Sequence, residues 1–139
     1  MAMGVTHVGP EPNRKVPDKA WRWPRTSILG YWGCAFLEGQ EKKMSWCPDS
    51  IPAGSTVGML VTDTGDMKVF VNRGLVASVE GAVSVEPETQ LYPILDIFSS
   101  AVSVQLLPMA TPKEAPEEAF GGTGGTSPSS KPVSDDASV

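Results

Sequence analysis

Polar and apolar positions alternate most densely between Thr56 and Pro108. In T-V-G-M-L-V-T, residues Val57, Met59 and Val61 share one face, and in M-K-V-F-V so do Met67, Val69 and Val71. A period of two marks half-buried strands. Asp63-Thr64-Gly65-Asp66 between them has turn composition, and Gly65 can take a positive φ without steric cost. These runs predict a β-hairpin. Two further apolar runs flank Ser99-Ser100 in L-Y-P-I-L-D-I-F-S-S-A-V-S-V-Q-L-L-P and predict a second strand pair, with Pro93 marking an edge or a bulge. Leu75 to Val85 alternates weakly up to Gly81 and predicts an edge strand, with Glu80 and Glu86 discouraging edge-to-edge pairing. The fold class expected is an all-β antiparallel sandwich with Val57, Met59, Val69, Val71, Leu95, Ile97, Val102 and Val104 in its core.

Upstream the pattern is weaker. Ile28 to Leu37 reads as one strand interrupted by Gly30 and Gly33, Glu38 to Lys43 as a charged connection, and Met44 to Cys47 as a short returning strand. Residues 1–25 carry Pro10, Pro12, Pro17 and Pro24, which break helices and show no strand alternation. They predict a flexible proline-rich arm, leaving 26–110 as the β-domain. Within the arm, Trp21-Arg22-Trp23-Pro24 suggests rings docked on the domain's own sheet, with a partner contact as the alternative. Residues 111–139 hold Phe120 as their only aromatic residue, so they predict a disordered Pro/Gly/Ser-rich acidic tail. Its Ser127-Pro128 suits a docking or phosphorylation segment, although a plain solvated terminus explains the composition as well.

The strand-rich half also resembles a known family. M-K-V-F-V-N-x-G from Met67 to Gly74, followed by L-Y-P-I-L-D-I-F-S-S from Leu91, is similar to the C-terminal half of a neuralized homology repeat, one of the SPRY-like β-sandwich domains. The family usually has Asn-Gly directly where this chain reads Asn72-Arg73-Gly74. The resemblance implies a SPRY- or concanavalin-like sandwich whose loops recognise peptides or the substrate proteins of ubiquitin ligases. Because it covers about half of such a domain, it also implies an incomplete sandwich, or a fragment with open sheet edges.

Charge is distributed unevenly. Residues 1–25 hold five basic against two acidic residues, 26–110 four against nine, and 111–139 two against five, for a formal net charge of −5. A mildly acidic domain argues against nucleic acid and anionic membrane as partners. The N-terminus lacks an apolar signal region and no run approaches a membrane span, so the expected location is cytoplasmic. Cys34 and Cys47 are either ordinary buried thiols, the favoured reading for a cytosolic protein, or a disulfide.

Candidate chemistry is sparse. The single histidine, His7, lies in the arm, which removes the usual Ser-His-Asp and Cys-His designs. Two cysteines and one remote histidine do not make a zinc set, and Asp63 with Asp66 offers too few oxygens for Ca²⁺. No cofactor motif is present; the G-G-T-G-G of the tail follows no strand and opens no helix. Asp63-Thr64-Gly65 looks like the tripeptide of a retroviral-type aspartic protease, whose carboxylates share one proton across a dimer. Here Asp66 follows where that pattern wants a small residue, and a polar hairpin turn accounts for the segment. The expectation is a non-catalytic protein-interaction module that takes a protein or peptide ligand. The alternative is a structural β-domain completed by a partner or by a swapped copy, hence a homo-oligomer. Recognition would fall to loops, with Trp46, Asp49, Asp63, Asp66, Asn72 and Arg73 as candidate contact residues and no metal or catalytic group.

Overall fold

The computed structural model describes residues 1–98 and 103–108. These residues form an all-β fold of two antiparallel sheets. The first sheet contains β1 (Ala2–Thr6), β2 (Thr26–Tyr31), β3 (Cys34–Leu37), β4 (Gln40–Lys43) and β8 (Tyr92–Asp96), in the order β4-β3-β2-β1-β8. The second contains β5 (Val57–Val61), β6 (Met67–Val71) and β7 (Gly74–Val79) in chain order.

The hairpin and the edge strand expected from alternation are β5, β6 and β7, with Ala77 and Val79 of β7 facing inward. The two sheets meet across one core. Met3, Val5, Leu29 and Ala35 from the first sheet pack with Met67, Val69, Ala77, Val79, Ala82 and Val83 from the second and the loop that follows it. The Ser27 hydroxyl, from the five-stranded sheet, donates to the Ala82 carbonyl. A buried hydroxyl that reaches a backbone acceptor avoids the cost of an unmade hydrogen bond and fixes the offset of the layers.

Several expectations are corrected. Residues 1–25 are not simply an arm, because Ala2–Thr6 is a wholly buried strand between β2 and β8. Its other face, with Ile28, Tyr31 and Phe36, is covered by the 3₁₀ turn Ala20–Arg22 and by Trp21, whose ring stacks on Phe36 at 4.7 Å. The tryptophan docking expected from sequence therefore holds for Trp21. Ile28 to Leu37 is not one strand but the β2–β3 hairpin, and the charged connection after it is strand β4. Met44 to Cys47 forms no strand. Of the second pair around Ser99-Ser100, only β8 is a strand, and Ser103 to Pro108 is not.

The core is displaced toward the N-terminus. Val69 is fully buried, while Val57, Met59 and Val71 are half-buried. Leu95 is exposed because the three-stranded sheet is too narrow to cover β8, and Ile97 and Val104, which belong to no strand, are exposed as well. Val102 and residues 111–139 lie outside the described residues.

Three hairpins close with two-residue loops at Trp32-Gly33, Glu38-Gly39 and Asn72-Arg73. Both loop residues have positive φ in each case, with 49° and 73° at Trp32-Gly33, 49° and 87° at Glu38-Gly39, and 48° and 73° at Asn72-Arg73. That combination is a type I′ turn, whose twist matches that of its flanking strands.

Candidate recognition surfaces

The predicted contact residues separate into groups that do not form one site. Asp63 and Asp66 lie in the β5–β6 connection, and Asn72 and Arg73 lie at the other end of β6. The strand between them puts Asp66 and Asn72 roughly 20 Å apart. Trp46 and Asp49 belong to the β4–β5 connection, where Trp46 is half-buried against the inter-sheet core and Asp49 is exposed in the 3₁₀ turn Pro48–Ser50.

Each group has its own local logic. Asp63 and Thr64 form the corner of a turn closed by Gly65 N–H to the Thr62 carbonyl at 3.0 Å. Asp66 Oδ1 accepts from Gly81 N–H at 2.8 Å, and its Oδ2 accepts from the Thr64 hydroxyl at 3.2 Å. Asp66 thus ties the turn to the loop after β7, while Asp63 stands exposed. At the other end, Asn72 Oδ1 accepts from Thr56 N–H at 2.9 Å and Asn72 N–H donates to the Thr56 carbonyl at 2.8 Å. This double tether holds Asn72 and leaves Arg73 exposed at the tip of a rigid turn.

A feature that sequence reasoning missed lies between β8 and the segment of residues 6–23. All five residues from Tyr92 to Asp96 line a cavity of about 480 Å³, whose opposite wall comes from Val8, Pro10, Val16, Pro17 and Trp23. The walls are largely apolar, and the volume falls in the usual range of ligand sites. The two carboxylates at its rim are already engaged. Asp18 pairs with Arg22 at 2.7 Å, and Asp96 accepts from the Tyr31 hydroxyl and from Ala20 N–H.

Nearby, Trp32 is 66% exposed although its backbone adopts φ 49°. A bulky residue at positive φ is an outlier. Its ring lies 6.4 Å from Phe98, with Lys19 Nζ 5.9 Å from the Trp32 centroid. Cys34 and Cys47 are both free thiols. Among the described residues no group of three or more His, Cys, Asp or Glu is arranged to hold a metal.

Against this geometry, the family model for Neuralized matches residues 1–108. The chain belongs to the Neuralized family. Its N-terminal β1 therefore falls within the Neuralized domain, as does the whole lining of the β8 groove. Neuralized domains are protein-interaction modules and are generally non-catalytic. Neither the curated proteins nor the solved structures yield a match to the chain. No helix among the described residues is long and apolar enough to cross a membrane.

Proposed function

We propose that this Neuralized domain recognises a protein or peptide through the loops of its sandwich, as the substrate-recognition part of a cytoplasmic ubiquitin-ligase assembly. The observation that carries the reading is the Asn72-Arg73 turn. The two hydrogen bonds between Asn72 and Thr56 fix the backbone of the turn, so binding through the exposed Arg73 has only its side chain left to order. Arginine is among the residue types that dominate interface energetics. The test is affinity capture from cells with the full chain and with Arg73→Glu. Capture of ligase subunits and a substrate by the wild type, lost in the variant at an unchanged melting temperature, supports the reading. Equal capture by both forms moves the site elsewhere, and capture without ligase subunits removes the ubiquitin context.

A second reading has its own support. Leu95 is 44% and Leu106 86% exposed, and among the described residues β8 ends its sheet without a neighbour on the outer side. Open edges and uncovered apolar side chains suit completion by another chain. Sedimentation of the full chain separates the readings. A dimer dissociated by Leu106→Ser favours completion, and a monomer favours the self-contained binder.

The Asp63-Thr64-Gly65 tripeptide has less support as an aspartic-protease element. Its residues serve the β5–β6 turn, with the neighbouring Asp66 carboxylate occupied by Gly81 and Thr64.

A further inference from the structure

Resting on the reading as a protein-interaction module, we infer that a small polar pocket where β1 ends and β2 and β8 begin is a second binding site, which takes a phosphoryl group carried by a partner protein.

The topology assembles this pocket from three separate segments. Thr6 at the end of β1 pairs with Thr26 of β2 on one side and with Tyr92 of β8 on the other. The residues that follow β1 therefore meet those that precede β2 and β8. His7 and Gly9 from the first segment, Arg25 from the second, and Thr89, Gln90 and Tyr92 from the third line a cavity of about 290 Å³. Its backbone is held in place. His7 N–H donates to the Arg25 carbonyl at 3.1 Å. Glu86 N–H donates to Thr89 Oγ1 at 2.8 Å, and Thr89 N–H donates back to the Glu86 carbonyl at 2.9 Å. A Cβ on Gly9 would lie 3.2 Å from the Tyr92 ring and hydroxyl, so a larger residue there would press on this wall.

The lining has the chemistry of an oxyanion site. Arg25, Thr89, Gln90 and Tyr92 all carry side-chain donors, and no Asp or Glu lines the pocket. Glu86 and Glu88, beside Thr89, are exposed and outside the lining. Arg25 is exposed and takes part in neither of the two ion pairs formed among the described residues. Thr89 Oγ1 accepts from Glu86 N–H, which leaves its own hydroxyl proton to give. His7 Nε2 is buried and closed to a ligand, so the donors come from the other side chains. Both sides of the pocket also hold a non-glycine residue at positive φ, Arg25 at 51° and Glu88 at 69°. Backbone conformations of this cost gather at ligand sites.

A guanidinium surrounded by uncharged donors is complementary to an anion with several acceptor oxygens. A phosphoryl group presents three in different directions, which suits donors arriving from separate segments better than the two coplanar oxygens of a carboxylate. The source is a protein and not a nucleic acid. Nucleic-acid binding draws on many phosphate contacts, whereas this pocket offers one arginine. Residues 26–110 carry four basic against nine acidic residues, a balance that repels a polyanion.

The experiment titrates the isotope-labelled full chain with N-acetyl-phosphoserine amide and follows its backbone amide resonances. Saturable shifts at Gly9, Thr89 and Gln90 are expected, with none from N-acetyl-serine amide. Arg25→Gln should weaken binding about tenfold, and Gln90→Ala, which trims an exposed side chain, about threefold, with resonances elsewhere unchanged. No saturable shift, or full affinity in a folded Arg25→Gln chain, would overturn the inference. Should Arg25→Gln fail to fold, full affinity in Gln90→Ala has the same consequence. Inorganic phosphate that binds as tightly as the phosphoserine probe would make this a site for the free anion. Equal binding of N-acetyl-aspartate amide would make it a carboxylate site. Either result overturns the assignment to a phosphorylated partner. Loss of this binding with Arg73-dependent capture intact removes the pocket alone, and pocket binding without Arg73-dependent capture removes only the loop reading.

Discussion

Gly65 and Val83 approach so closely that a Cβ on Gly65 would lie 2.1 Å from the Val83 carbonyl oxygen. The same pair is joined by Val83 N–H donating to the Gly65 carbonyl at 2.9 Å. Gly65 has φ 85° as well, so both its backbone conformation and its surroundings exclude a side chain. Gly65→Ala should destabilise the domain by about 2–5 kcal/mol, combining left-handed strain with a clash against backbone. Urea unfolding at equilibrium measures this. A change below about 0.5 kcal/mol, the size of an ordinary surface effect, would show that the β5–β6 turn and the loop after β7 do not dock.

The two neighbouring carboxylates of that turn should behave differently. Asp66 holds Gly81 N–H and the Thr64 hydroxyl, while among the described residues the Asp63 carboxylate accepts no hydrogen bond. Asp66→Ala should cost about 1 kcal/mol, the net worth of such bonds, and Asp63→Ala should stay within about 0.5 kcal/mol. Peptide cleavage that disappears on Asp63→Asn would instead restore the protease reading of Asp63-Thr64-Gly65.

Much of the second sheet was legible from the sequence because β5 and β6 each show one face to the core and one to the outside. β1 was not, because both of its faces are covered and its short run A-M-G-V-T has no alternation to detect. The β2–β3 turn was hidden by Trp32, a residue type that type I′ corners rarely hold, so two strands read as one interrupted strand. Leu95 and Ile97 alternate as core residues should. Burial, however, also depends on how far the opposite sheet extends, and no local pattern records that. The groove was hidden for a similar reason. Its walls come from residues 6–23 and 92–96, far apart in sequence and brought together by the pairing of β8 with β1.

The Asn72-Arg73 turn is strained at its second residue. Arg73 has φ 73°, where type I′ corners favour glycine and where the family pattern has Asn-Gly. The left-handed conformation costs an L-residue roughly 1–2 kcal/mol, against about 0.4–1 kcal/mol of extra unfolded-state entropy for glycine. Arg73→Gly should therefore raise stability by about 0.5–1 kcal/mol, seen as a higher urea midpoint with an unchanged slope. If Arg73 is the recognition anchor, the same variant should lose its partner. Gained stability with lost binding is the combination that separates function from scaffold.

Tyr31 makes stability depend on alkaline pH. Its ring is fully buried, and its hydroxyl donates to Asp96 and accepts from Ala20 N–H at 3.1 Å. Burial first, then the hydrogen bond to the Asp96 carboxylate and its charge, push the phenol well above its usual range. The folded state thus holds the proton more tightly than the unfolded chain, whose tyrosine ionises near pH 10 (approximately). The contribution is fully present below about pH 10 and is lost as the pH rises above it toward the folded value. The stability difference between wild type and Tyr31→Phe should therefore shrink from about pH 9 to about pH 11 in urea titrations. A difference constant across that window would mean that the phenol is not held neutral by the fold.

Cys34 should be a slow nucleophile despite its access to solvent. Its thiol donates to Glu41 Oε1 at 3.2 Å, across the β3–β4 pair. That hydrogen bond, then partial desolvation and the negative charge of Glu41, raise the thiol's pKa, while Lys43 acts weakly in the opposite direction. Because the thiolate is the reactive form, a raised pKa means fewer reactive molecules at neutral pH. Iodoacetamide should then modify Cys34 more slowly than a free cysteine, with the rate still climbing above the pH at which free cysteine levels off. Glu41→Ala removes both the acceptor and the charge from an exposed edge strand and should accelerate the reaction near pH 7, while Lys43→Ala should slow it slightly. Mass mapping of the modified peptide distinguishes Cys34 from Cys47. Unchanged Cys34 kinetics in Glu41→Ala would mean that the thiol and the carboxylate do not meet in solution, and that the end of the β3–β4 hairpin is looser than its register implies.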